Sequence, residues 1–181
     1  MLKIAVLPIG QVNVDVLDYI QRGLREHFFE AEVSVIQHAM PIPSEAYSSS
    51  RRQYHSTLIL AQMRTHFGNV ESQCILGVTE VDLYAASLNF VFGEAQCPGK
   101  FALISLLRLK PEFYGERADN SLFLERAMKE AVHEVGHMLR LKHDRNPSFV
   151  MFFSNSIKDT DRKSVEFCDD CHMLVHRALD K

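Results

Sequence analysis

A chain of 181 residues fits one domain, long enough to bury about 70% of its unfolded surface around a core. With 46% hydrophobic and 24% charged residues it has an ordinary globular composition, and no apolar run approaches membrane-spanning length. A formal charge of −3 argues against a surface dedicated to nucleic acid or an anionic membrane, and cysteines at 74, 97, 168 and 171 do not form a disulfide framework, so the expected compartment is cytoplasmic.

In chain order, Met1 to Pro8 is a short apolar run with no small-residue cleavage site behind it, and reads as a buried first strand rather than a secretory leader. Asn13 is placed to cap a helix over Val14 to Phe28, in which Leu17, Ile20, Leu24 and Phe28 recur at helical spacing. Glu32 to Gln37 reads as a second strand. Pro41-Ile42-Pro43-Ser44 and Ser48-Ser49-Ser50 mark a loop, and Arg51 to Phe67 reads as an amphipathic helix stopped by Gly68-Asn69. Cys74 to Val78 is the third strand, with Cys74 expected in the core. This alternation implies a mostly parallel sheet with right-handed crossovers. No G-x-G-x-x-G follows the first strand and no G-K-S/T occurs, so dinucleotide and P-loop functions lack their phosphate cradle. Leu88 to Gly93 and Phe101 to Leu107 are the remaining strand candidates, and Lys110-Pro111 ends the second of them.

The densest chemistry lies in Ala131-Val132-His133-Glu134-Val135-Gly136-His137-Met138-Leu139-Arg140-Leu141-Lys142-His143, followed by Met151. At about 100° per residue, Leu124, Met128, Ala131, Val135 and Met138 fall within about 40° of one line, with His133 and His137 roughly 140–180° away. One face of this helix is expected to pack while the other presents imidazoles. Asp119, Asn120 and Ser121 are candidate N-caps, and Glu125 with Lys129 forms a favourable i,i+4 pair on the flank. Zinc needs nitrogens at about 2.0–2.1 Å on converging vectors, which His133 and His137 supply, and Glu134 stands ready to accept a proton from water. A continued helix would carry His143 roughly 15 Å past His133, so His143 can join the same ion only if the helix breaks after His137. H-E-x-x-H-x-x-x-x-x-H with a later Met is the metzincin type of zincin arrangement.

Around this motif, Ile75-Leu76-Gly77-Val78-Thr79-Glu80-Val81-Asp82-Leu83, Leu88-Asn89-Phe90-Val91-Phe92-Gly93-Glu94-Ala95, Leu122-Phe123-Leu124-Glu125-Arg126-Ala127-Met128-Lys129-Glu130 and Cys168-x-x-Cys171 resemble the archaemetzincin family. The resemblance covers most of the chain and is strongest from about residue 74 onward. It implies a single compact metzincin-like α/β domain over 1–181, with a twisted, mixed, mostly parallel sheet, an antiparallel edge strand, a long active-site helix and a C-terminal helix. The sheet and first helices would occupy 1–118, and the zinc helix, Met turn and final helix 119–181. By position it implies His133, His137 and His143 as zinc ligands, Glu134 as general base and Met151 as the methionine turn. Leu88 to Gly93 would be the edge strand that pairs with extended substrate; read from the residues alone, it is equally a plain edge strand. Phe152 and Phe153 would line the specificity pocket or else enter the core. Asp159 to Lys181 reads as a polar turn and a final helix.

The chain departs from the family pattern at Arg140, where the family has Gly, and at Asp144 and Phe149, where it has Cys. Arg at a left-handed helix end costs about 1–2 kcal/mol, which metal binding can offset. Of four cysteines that would bind a structural zinc, Cys168 and Cys171 remain; either that second ion is lost, or Asp144 or His172 completes a remodelled site. A redox role for Cys168-Asp169-Asp170-Cys171 is disfavoured, since two carboxylates oppose thiolate formation.

The expected function is zinc-dependent peptide hydrolysis on a peptide or protein substrate. The alternatives are a metal-containing protein that binds extended peptide without cutting it, which Arg140 near the cleft would favour, and a regulatory zinc module, which needs no base beside its metal. Oligomeric state is left open.

Overall fold

Every residue of β1 (Lys3–Ile9) after Lys3 is buried, as a strand covered on both faces requires. The computed structural model describes residues 1–29 and 31–179. After β1 come α1 (Val14–His27), β2 (Glu32–Val35), β3 (Tyr47–Ser48), β4 (Gln53–His55), α2 (Ser56–Phe67), β5 (Cys74–Thr79), β6 (Leu83–Tyr84), β7 (Gly93–Ala95) and β8 (Phe101–Ser105). The chain closes with α3 (Asn120–Met138), α4 (Ile157–Arg162) and α5 (Asp169–Leu179). The main sheet has the order β2-β1-β5-β8-β7, parallel except for the antiparallel edge strand β7, and β3-β4-β6 form a small second sheet.

The side-chain period of two divides β1 between two cores. Ile4 and Val6 pack with α1 and α3 through Leu17, Leu24, Ala127 and Ala131. Ala5, Leu7 and Ile9 face the other way, onto Ile59 and Met63 of α2. Asn13 caps α1, its side chain accepting from Asp15 N at 2.9 Å. The mostly parallel sheet expected from the alternation of elements is thus present, with the antiparallel edge that the resemblance implied and Cys74 in its core at 1% exposure.

Four expectations need correction. The second helix begins at Ser56 rather than Arg51, because Gln53–His55 pair with β3 and β6 as a strand, and Arg52 has φ 56°, incompatible with helix. The antiparallel edge strand is Gly93–Ala95, not Leu88 to Gly93; of the latter stretch, Val91 makes an isolated bridge to Leu83. The strands expected to end at Gln37 and Leu107 end at Val35 and Ser105. Nor does α3 pack on one face only. Arg126 to Gly136 are all buried, because the segment from Val150 to Lys163 lies across the helix, touching Arg126, Glu130 and His133. Asp180 and Lys181 of the expected final helix lie outside the described residues.

Asp119 is the cap of α3, accepting from Leu122 N at 3.0 Å. Lys129, expected on an exposed flank, is buried while it pairs with Glu125 at 2.6 Å. Below it, Lys163 and Glu130 form a buried ion pair at 2.9 Å with side chains 0% and 4% exposed.

Candidate metal centre and cleft

The helix breaks where a third histidine requires it. Leu141 N donates to Gly136 O at 3.0 Å and Arg140 N to His137 O at 3.0 Å, the paired bonds of a Schellman turn. Arg140 takes the left-handed position, φ 75°, usually given to glycine. This turn sends His143 back toward the helix it has left. His137 Nε2 then stands 3.1 Å from His133 Nε2 and 3.1 Å from His143 Nε2. Tetrahedral donors at about 2.0–2.1 Å from a zinc ion would be about 3.3 Å apart, so the three nitrogens are spaced for one ion.

Two of the rings are held from behind. His133 Nδ1 bonds Val150 O at 2.7 Å, and His137 Nδ1 bonds Leu141 O at 2.8 Å. A carbonyl only accepts, so each Nδ1 carries the proton and each Nε2 turns a lone pair toward the shared point. Burial, the largest influence on all three, lowers their pKa values and favours the neutral imidazole that a metal needs. Met151 lies beneath them, fully buried, with Sδ 2.7 Å from where a Cβ on Gly136 would stand. Only glycine at 136 allows that approach.

Glu134 is also held close. A Cβ on Gly93 of the edge strand would lie 2.5 Å from Glu134 Oε1, so strand β7 packs directly on the carboxylate. Glu134 Oε2 is buried without a hydrogen-bond partner. Burial, then the neighbouring Glu130, raise its pKa well above the ordinary value, against a lowering by Lys163. Next along β7, Glu94 accepts from Thr57 Oγ1 at 2.8 Å and from Ser56 Oγ, which anchors the edge strand to the start of α2.

These groups line a cleft of about 380 Å³, together with Leu88, Val91, Cys97, Lys142 and Phe153. Phe153, 37% exposed, lies tilted against His143 with ring centroids 5.0 Å apart, while Phe152 bridges to Asp144 and stays outside the cleft lining. Phe153 thus takes the expected pocket position, while Phe152 is half-buried and belongs to neither the cleft lining nor the core. Arg140 is exposed and does not line the cleft, which removes the feature that favoured a binding protein without turnover. Glu94, Cys97 and Lys142 were not singled out from sequence as site residues; nothing local marks them, because they reach the cleft only through sheet pairing and the Schellman turn.

A second donor group lies nearby. One ligand atom each from Asp144, Cys168 and Cys171 falls within 4.8 Å of the others. All four cysteines are free. Burial first, then a hydrogen bond with Cys168, pushes the Cys171 thiol up to about 12, and the bond from Cys168 lowers the Asp144 carboxyl. That is the opposite of a reactive dithiol. His172, considered as a donor here, instead packs on Phe29 and His176 at 4.9 and 4.8 Å. Phe149 is half-buried.

Comparison with known proteins bears on this geometry. Residues 1–177 match Peptidase family M54. An archaemetzincin of Methanocaldococcus jannaschii is 47% identical over 171 residues, 94% of this chain and 91% of the relative. One of Pyrococcus furiosus is 45% identical over 181 residues, 98% of this chain and 94% of the relative. Among crystal structures, archaemetzincin from Methanopyrus kandleri superposes with TM-score 0.86 at 35% identity, covering 99% of this chain and 96% of that one. The Archaeoglobus fulgidus archaemetzincin, complexed with malonate, gives TM-score 0.80 at 42% identity, covering 96% and 99%.

Proposed function

The chain belongs to peptidase family M54, the archaemetzincins, and is a zinc metallopeptidase; from that premise we propose that His133, His137 and His143 hold the zinc ion and that Glu134 is the general base. The observation that carries this reading is the convergence of three Nε2 atoms, 3.1 Å apart along two edges, beside a buried carboxylate oxygen with no partner. Neutral imidazoles backed by carbonyls suit a borderline-soft dication, and the residues present therefore fit zinc. When bound, zinc supplies Lewis acidity, acidifying water and stabilising negative charge on the scissile carbonyl oxygen.

The chain's own groups do the rest. Glu134 takes a proton from the attacking water and returns it to the leaving amine; burial raises its pKa, which makes the carboxylate a stronger base for the first transfer. Strand β7 lines the cleft and has a sheet neighbour on one side only, so its free edge can pair with extended substrate. Phe153 and Leu88 offer apolar contact to substrate side chains beside that edge. Met151 is the methionine turn that supports the ligands from below. Asp144, Cys168 and Cys171 offer three donors for a remodelled second ion, at the cost of displacing two thiol protons. Four free thiols suit a reducing compartment such as the cytoplasm.

The test is digestion of a diverse peptide pool by zinc-loaded wild type beside Glu134→Ala, read by mass spectrometry. Wild type should cut, and the variant should keep its zinc yet lose roughly 10²–10⁴-fold or more in turnover. A variant that still cuts at the wild-type rate removes Glu134 from the mechanism.

A further inference from the structure

The two faces of β7 carry different chemistry. A Cβ on Gly93 would meet Glu134 of α3, and Ala95 packs with the core on that same side. The Glu94 side chain points the other way, to Ser56 and Thr57 at the start of α2. On this second side a groove of about 420 Å³ runs between helix and strand, with Thr57, Ala61, Arg64 and Thr65 on one wall and Glu94 and Gln96 on the other. Glu94 and Ala95 line both this groove and the metal cleft, so the two meet at the strand.

Charge is separated along the groove. Thr57 Oγ1 donates to Glu94 at 2.8 Å at one end. Arg64 lies two turns further on, about 10 Å along the helix, and Gln96 is about 7 Å along the strand from Glu94. Helix and strand run the same way, since Lys100 Nζ, just past β7, donates at 2.8 Å to Gly68 O, just past α2. The anion therefore stands at one end and the cation at the other. Arg64 is exposed and has no ion pair or side-chain hydrogen bond among the described residues.

Strand pairing decides which substrate residues reach this groove. Phe92 O accepts from Ser105 N at 2.8 Å and Gln96 N donates to Phe101 O at 3.0 Å, both toward β8. In an antiparallel ladder the alternate residues, Gly93 and Ala95, then turn their backbone N–H and C=O to the free edge. A peptide bonded there places side chains opposite Gly93 and Ala95 on the α3 face, with the histidines, and those opposite Glu94 and Gln96 on the α2 face.

We propose that the groove between α2 and β7 is a second specificity subsite, which takes the substrate side chain opposite Gln96, and that Arg64 selects an acidic one, Asp or Glu, there. Opposite Glu94 the like charge disfavours the same side chain, so the preference is confined to one position. The subsite rests on the reading that extended substrate pairs with β7.

The experiment uses blocked hexapeptides in which each position in turn is fixed as Glu or as Lys. Their retention on immobilised, zinc-loaded Glu134→Ala, with and without Arg64→Glu, is read by mass spectrometry, and their cleavage by wild type and by Arg64→Glu is followed in parallel. Glu should be favoured over Lys about three- to tenfold at one position, and less so in about 0.5 M salt, as an exposed charge pair requires. Arg64→Glu should invert that ratio at the same position, with zinc content and helical circular dichroism unchanged. A ratio that Arg64→Glu leaves unaltered at every position, or no retention at all, overturns the proposal, and cleavage in either case keeps the peptidase reading. If wild type cuts nothing, that failure falls on the peptidase reading, and retention still decides the subsite.

Discussion

Arg140 carries a strain that the function explains. Its φ of 75° is the conformation in which a Cβ crowds the backbone, and the turn it completes brings His143 within 3.1 Å of His137. Arg140→Gly should therefore stabilise the protein by about 1 kcal/mol, raising Tm by roughly 2–4 °C with zinc stoichiometry unchanged. Thermal unfolding of the metal-free protein checks this directly, and an unshifted Tm would show that the turn costs nothing. His133, Glu134 and His137 were legible in sequence from helical spacing, and His143 only from the longer H-E-x-x-H-x-x-x-x-x-H pattern, since it lies beyond the helix. Glu94, Cys97 and Lys142 were not, because their places depend on which other segment lies across from them.

At the scale of elements, α3 is held to the segment from Val150 to Lys163 at two points. The Val150 carbonyl orients His133 at 2.7 Å, and Lys163 reaches Glu130 at 2.9 Å one helical turn before Glu134. Removing one member of a buried ion pair leaves an uncompensated charge. Lys163→Met should cost about 3–5 kcal/mol, and Lys163→Met with Glu130→Gln should recover most of it. Urea unfolding of the two variants separates these outcomes; equal losses would mean that Lys163 acts by packing alone. On α5, burial and then a hydrogen bond with Cys168 push the Cys171 thiol up, so it keeps its proton. Changing Asp144→Cys and Phe149→Cys together should create a tight second site with thiolate-to-cobalt charge transfer. No such absorption would show that the two loops do not converge as the donor positions require.

The whole molecule sets the chemistry of the metal centre through burial. Desolvation holds His133, His137 and His143 below the ordinary histidine value of 6.5. Protons compete with zinc for Nε2, so a lowered pKa weakens that competition, and zinc should be retained as pH falls past 6.5. Dialysis at stepped pH with zinc analysis reads the midpoint of loss. A midpoint at or above 6.5 would mean that the site is no drier than the surface.

Sequence by itself determined the alternation of elements, the apolar face of α3, three candidate caps for it, among which the structure chose Asp119, and the three candidate histidines. These follow from local periodicity and from donor chemistry, which neighbours in space do not change. Only the tertiary structure decided that β7 is Gly93–Ala95 rather than the stretch before it, since strand assignment depends on a partner, β8, that sequence cannot align. It alone decided that the imidazole face of α3 is buried, that Phe153 enters the cleft while Phe152 does not, and that Arg140 points away. Each depends on how the segment after Met151 crosses the helix, a contact between residues distant along the chain.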